Sequence, residues 1–128
     1  MTAQLLALAE RVEREPVGID LWYTAYQSAL GKKWPEGGTP ASIDRMRFMS
    51  FCQSAAWLDA ADMLRPVGWV WLNHEIQPGE WSAILVTDPS GNAGLKCDGT
   101  ASGPHAEARA RLAAALRAHA ATNTGDAP

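Results

Sequence analysis

Along this chain the spacing of apolar residues changes from segment to segment, and each change marks a predicted element. Leu5, Leu8, Ala9 and Val12 recur at helical intervals over residues 3–14, and Pro16 closes the run. Glu10, Arg11, Glu13, Arg14 and Glu15 read as the solvated face of that helix. A second helix is expected from Asp20, a capping residue, to Gly31, with Trp22, Ala25, Tyr26 and Ala29 as its apolar stripe. The stretch Lys32–Ala41 is dense in Pro and Gly and reads as a solvated loop with Trp34 packed beneath it, the alternative being that Lys32, Lys33 and Trp34 touch an anion or a base. Ser42–Phe51 reads either as an early extension of the next helix or as an irregular lead-in to it.

The stretch Ser54–Trp69 is the one around which the rest of the chain is expected to be organised. Phe51, Ala55, Leu58, Ala61 and Leu64 make a helical stripe suited to lying on a sheet. Pro66 stops the helix at Arg65, and Gly68 supplies the reversal. The period then drops to two. Trp69, Trp71 and Asn73 fall on one face of a first strand, and Val70, Leu72 and His74 on the other. Gln77–Glu80 is a turn. The return strand 81–87 puts Trp81, Ala83 and Leu85 on one face and Ser82, Ile84 and Val86 on the other. A further turn at Asp88–Asn92 leads to a third strand over Ala93–Cys97. Residues 98–104 read as a lead-in to a last helix, Pro104–Ala121, with Ala108, Leu112, Leu116 and Ala120 as a narrow stripe. Arg109, Arg111 and Arg117 read as its solvated charges, and 122–128 as a frayed tail.

Short turns between successive strands predict an antiparallel meander. The fold class that follows is α+β: an antiparallel sheet of three or more strands covered by helices, an α-β-α sandwich, in one domain over residues 1–121. Both faces of the sheet carry apolar residues, so each is expected to be covered by helices or by another subunit; the chain is expected to act as an oligomer.

Composition narrows the function. At 128 residues, 47% hydrophobic and 20% charged, the chain is an ordinary globular domain. A net charge of -3 argues against a duplex nucleic acid partner, which calls for a basic surface. No apolar run approaches the ~20 residues of a membrane span, and the N-terminus lacks the basic region of a signal peptide. Cys52 and Cys97 stand apart, without metal-ligand spacing, and read as buried thiols in a reducing cytoplasm.

Known catalytic patterns find little to match. His105-Ala-Glu107 resembles half of a zinc-deaminase signature, but the Pro-Cys-x-x-Cys half is missing. His74-Glu75 has no second His four residues on, and neither a Gly-x-Ser-x-Gly elbow nor a phosphate-binding Gly-Lys-Ser/Thr loop occurs. The expectation is a protein with no catalytic residues, metal or cofactor. Six Trp against two Tyr and two Phe suit a core, an interface or a stacking platform. A stacking platform would use Trp69, Trp71 and Trp81, with Lys96 and the Arg45 and Arg47 guanidinium groups for phosphates. The plainer alternative places these Trp residues in the core or a subunit interface, and the two arginines on the exposed face of a helix.

The segment Leu58-Asp-Ala-Ala61, Leu64, Pro66 and Gly68-Trp69 resembles the phage ABA-sandwich domain family. Leu5–Val12, Asp20–Gly31 and Arg111–Ala118 resemble that family's other helices in the same order, with the match interrupted over 32–50. Trp57 departs from the small polar residue more usual there. The resemblance implies helices on both faces of a sheet, a phage or prophage origin and action in the bacterial host's cytoplasm. In size and architecture the chain is also similar to the Thoeris anti-defence sponge proteins, oligomers that sequester cyclic ADP-ribose-type messengers without cleaving them. The expected function is therefore sequestration of a nucleotide-derived immune signal. The alternatives are a protein-interaction module with an exposed aromatic face, and a metal-independent nuclease or hydrolase.

Overall fold

The computed structural model describes residues 2–30, 39–90 and 94–126, with side chains from 2–30, 43–90 and 94–122. The first helix, α1 (Thr2–Arg14), buries Leu5, Leu8, Ala9 and Val12, the stripe its spacing predicts. Helix α2 (Ile19–Leu30) buries Leu21, Trp22, Ala25, Tyr26 and Ala29. Gly31 and the Lys32–Gly38 part of the expected loop, Trp34 included, lie outside the described residues. Helix α3 (Thr39–Gln53) resolves the ambiguity over 42–51 in favour of a helix.

The expected helix from Ser54 to Arg65 is broken. Helix α3 ends at Gln53, and a separate short helix, α4, spans Trp57–Asp62. At the break, the Ala56 N–H donates to Phe51 O at 2.7 Å and the Ala55 N–H to Cys52 O at 3.2 Å. These are the two bonds of a Schellman helix stop, with Ala55 in the left-handed region (φ 60°) where glycine is usual. The stop resets the helical phase. Ala55 and Leu58 are consequently exposed, while Trp57, Ala60, Ala61 and Leu64 turn inward.

Gly68, at φ +90°, makes the expected reversal into the sheet. Strands β1 (Val70–Trp71) and β2 (His74–Gln77) both pair antiparallel with β3 (Glu80–Val86), which pairs on its other side with β4 (Lys96–Ser102). The first two are halves of one strand. Between them Leu72 N–H donates to Ile84 O at 2.8 Å, and the Asn73 side-chain Oδ1, in place of a backbone carbonyl, accepts from Ile84 N–H at 3.1 Å. The expected meander is thus present, and the fold class is α+β: among the described residues, a four-stranded antiparallel sheet with five helices.

The third strand extends well beyond the expected Cys97, to Ser102. Asp98-Gly-Thr-Ala-Ser has the composition of a turn, but Gly99 is there because the last helix, α5 (Ala106–Asp126), comes down on it. A Cβ at Gly99 would lie 2.3 Å from Ala110 O and 2.8 Å from Ala114 N, so helix and strand backbones meet almost directly. Ala83, Leu85, Gly99 and Ala101 are buried on this inner face. Helix α1 lies against α5 and the β4 edge, and α4 packs on α5 as well. Helix α5 rather than the 54–69 stretch is the organising element. Its alanines and leucines are buried on every side, and it continues past Ala121 to Asp126.

Central placement changes the arginines of α5. Arg109, 5% exposed, is no surface charge: it donates to Val12 O, Glu13 O, Ser102 O and Pro104 O. The first two carbonyls belong to the C-terminal turn of α1, where a cation also meets the negative end of the helix dipole. Burial lowers the Arg109 pKa from its usual value without neutralising it. Arg117 pairs with Glu13 at 2.6 Å, and the two close the free edge of β4: Glu13 accepts from Thr100 N–H at 2.8 Å, and Arg117 donates to Asp98 O at 2.9 Å. An edge strand so capped offers no ladder to another chain. Glu13 therefore leaves the solvated face assigned to it.

Candidate functional site

The six residues expected to bind a ligand are not gathered in one place. Trp69 is 4% exposed and belongs to the core, so it has no free face for stacking, which corrects that assignment. Trp71 and Trp81 are half-buried on the inner face, in register with Leu85 and Ala101 respectively. The Trp71 ring is covered by the Arg111 guanidinium, 5.3 Å from its centroid, and its Nε1–H donates to Asp62 at 2.8 Å. Arg111 also pairs with Glu107 across one helical turn. A cation does stand over a tryptophan here, but both come from the chain itself. Arg45 and Arg47 project from α3, which packs on α2 and α4, whereas it is α5 that packs on the sheet. Lys96 is exposed at the start of β4, on the outer face, opposite Val86. Alternation along the strands thus put the Trp residues on one face, and that face is turned towards α5.

A different tryptophan borders a concave site. Trp57 opens α4; at 9% exposure it too is mostly buried, with its ring edge-on to Trp22 (5.1 Å between centroids) and to His105 (6.3 Å), but unlike Trp69 it borders open space. Together with Ala55, Ala56, Leu58, Asp59, Glu107 and Ala108, Trp57 and His105 line a cavity of about 290 Å³. It forms where α3 stops, α4 starts and the chain enters α5. His105, at φ 56°, precedes α5, and its carbonyl accepts the Arg109 N–H at 3.0 Å. Among the described residues, His105 and Ala55 are the non-glycine residues with positive φ, and both line this cavity. Left-handed backbone costs a non-glycine residue roughly 1–2 kcal/mol. Two such costs, borne by segments 50 positions apart in the sequence, converge on one space. Among the described residues, the Nε1–H of Trp22, whose ring meets Trp57, is buried without a hydrogen-bond acceptor.

The chemistry of the lining is an aromatic wall, an imidazole and two carboxylates, and one of these, Glu107, is paired with Arg111 outside the lining. Such a site favours a flat ring with donor groups or positive charge at its edge, and disfavours a phosphate. Neither cysteine lines it. Cys52 is buried, and burial pushes its thiol up to about 11; Cys97 is half-buried and raised mainly by the same cause, with Asp98 adding to it. Among the described residues no group of three or more His, Cys, Asp or Glu is placed to hold a metal ion. Likewise no helix there is long and apolar enough to cross a membrane.

The site was missed at the sequence level for a physical reason. In the sequence His105-Ala-Glu107 matches only half of a metal motif, and Trp57 stands out only as a departure from a family pattern. Their meeting depends on the phase reset at Ala55, which has no composition signal because alanine is not a residue of helix stops. Fold and cavity together define a small α+β protein with an aromatic-walled recess at its helix junction. No protein-family model, curated protein or solved structure matches the chain.

Proposed function

We propose that this is a non-enzymatic binding protein that sequesters a small ligand bearing an aromatic ring, held against Trp57 and His105. The observation that carries the reading is the convergence of both left-handed non-glycine residues, Ala55 and His105, on the cavity that Trp57 walls. Backbone strain persists where the surrounding structure enforces it, and it clusters at ligand sites. A volume of about 290 Å³ lies at the low end of small-molecule pockets, enough for a nucleobase or nucleoside but not for a complete dinucleotide.

A nucleotide-derived immune signal in a bacterial host, the ligand implied by the similarity to the Thoeris anti-defence sponge proteins, fits this recess base first. Asp59, and the Glu107 oxygen not held by Arg111, offer acceptors to an exocyclic amine, and the same carboxylates turn the phosphates outward to solvent. The test is calorimetric titration of the protein with adenosine and with cyclic ADP-ribose, with the ligand recovered afterwards and checked for cleavage. Micromolar binding without turnover is expected for at least one of them. Leu58→Arg, which fills the cavity from an exposed position, should abolish binding and leave the fold intact. Silence of both ligands up to millimolar concentration, or unchanged binding by Leu58→Arg, would sink the proposal.

A further inference from the structure

The outer face of the sheet is left without a helix among the described residues, and its side chains are arranged in matched rows. Val70, Val86 and Lys96 form one row across the strands, and Leu72, Ile84 and Asp98 the next. Val70 is 37% exposed, Leu72 46%, and Ile84 is half-buried, while Val86 is already covered. Beside this aliphatic patch stand Lys96 and Asp98, opposite charges two residues apart on one face of β4 and both exposed. Neither side chain has an ion pair or hydrogen bond among the described residues; Arg117 donates to the backbone carbonyl of Asp98, and the Asp98 carboxylate is near enough to help hold that guanidinium charged.

We infer that this face docks a second copy of the chain about a two-fold axis. The axis runs across the strands, between the two rows. Rotation about it lays β4 antiparallel over β4 of the copy, so that Lys96 meets Asp98 twice. The same operation sets Val70 against Leu72 of the copy, with Ile84 between the two ends. A plus–minus pair at i and i+2 on one face is self-complementary under this operation, which is the requirement of an isologous interface. The charge order thus selects a copy of the chain over an unrelated partner, and fixes how it is seated. Contact through the β4 edge is closed by Glu13 and Arg117, so the copies meet face to face as stacked sheets, about 10 Å apart. The patch is small for a specific interface, so a weak, reversible dimer is expected. The cavity at Trp57 lies at the helix junction rather than on this face, so the inference stands apart from the ligand.

Sedimentation equilibrium of the full chain from about 5 µM to 500 µM tests it, the range being set by the weak interface expected. A reversible monomer–dimer equilibrium is expected. Lys96→Asp alone, and Asp98→Lys alone, should each weaken it at least tenfold by setting like charges together. The double swap Lys96→Asp/Asp98→Lys should recover it to within about threefold, the result a merely structural effect would not produce. Leu72→Asp should abolish it, with circular dichroism confirming that each variant is folded. A monomer throughout, a trimer or larger ring, a dimer indifferent to the single reversals, or a double swap as weak as the singles would each overturn the inference.

Discussion

Helices α1 and α5 are built from nearly the same residues, alanine, leucine, arginine and glutamate, yet they occupy opposite environments. In α1 one stripe of four residues is buried and Arg11–Glu15 form an exposed pair at 2.8 Å. In α5 the alanines leave no outward face; even Arg109 is buried, and the Glu13–Arg117 pair between the two helices is mostly so. Alanine causes the difference. A helix lined with alanine on several sides lets β4, β3, α1 and α4 approach it together, and the closest approach, at Gly99, is backbone to backbone. Amphipathicity identifies a helix that lies on a core. A helix inside the core is marked instead by small residues around its whole circumference.

The comparison breaks most sharply at Gly99. Gly99→Val would drive side-chain atoms into the Ala110 carbonyl and the Ala114 amide, neither of which can rotate away. We expect a loss of about 4 kcal/mol or more, or failure to fold, read by urea denaturation. The same change at Gly18, where nothing lies within 4 Å, supplies the control and should keep the protein folded.

Next in size is Arg109→Met, which keeps the stem but strands carbonyls of α1 and of the β4–α5 connection without their donor. A loss of about 3 kcal/mol is expected, against about 0.5 kcal/mol or less for Arg14→Met on the exposed side of α1. Equal effects at the two arginines would mean that α5 is no more central than α1.

The smallest effect is also the most specific, because it is set by pH. Burial pushes the Glu13 carboxyl up, but Arg117, the Thr100 N–H and Arg14 together outweigh it and hold the pKa below the usual 4.5. The folded state therefore binds this proton less readily than the unfolded chain. The stabilisation is complete above about pH 5 and is lost as pH falls through the lowered folded value. Glu13→Gln should cost about 2 kcal/mol at pH 7 and make stability less steeply dependent on pH in the acid range. Glu15→Gln, in the exposed pair, should change neither measurably. An identical acid profile for Glu13→Gln and the parent protein would remove Glu13 from the edge lock.

Trp71 and Trp81 show how far strand periodicity carries. The alternation of 69–74 and 81–87 assigned each side chain to its face, because a half-buried strand permits only two faces and Val70, Leu72 and Ile84 fell together on the second. What covers a face is not encoded in that alternation. Arg111 over Trp71 comes from 40 positions along the chain.

The sequence by itself determined the helices α1 and α2 with their buried stripes, the antiparallel order of the strands and the reversal at Gly68. All of these rest on interactions between residues close in the chain. Tertiary structure decided the rest. Gly99 became part of a strand because a helix needed its missing Cβ, and Glu13, Arg109 and Arg117 left the solvent because their partners lie on other elements. The Trp57–His105 recess formed because Ala55 takes a glycine's conformation to stop α3. Each of these depends on which backbones come within a few ångströms of one another, a distance that is set only when the whole core closes.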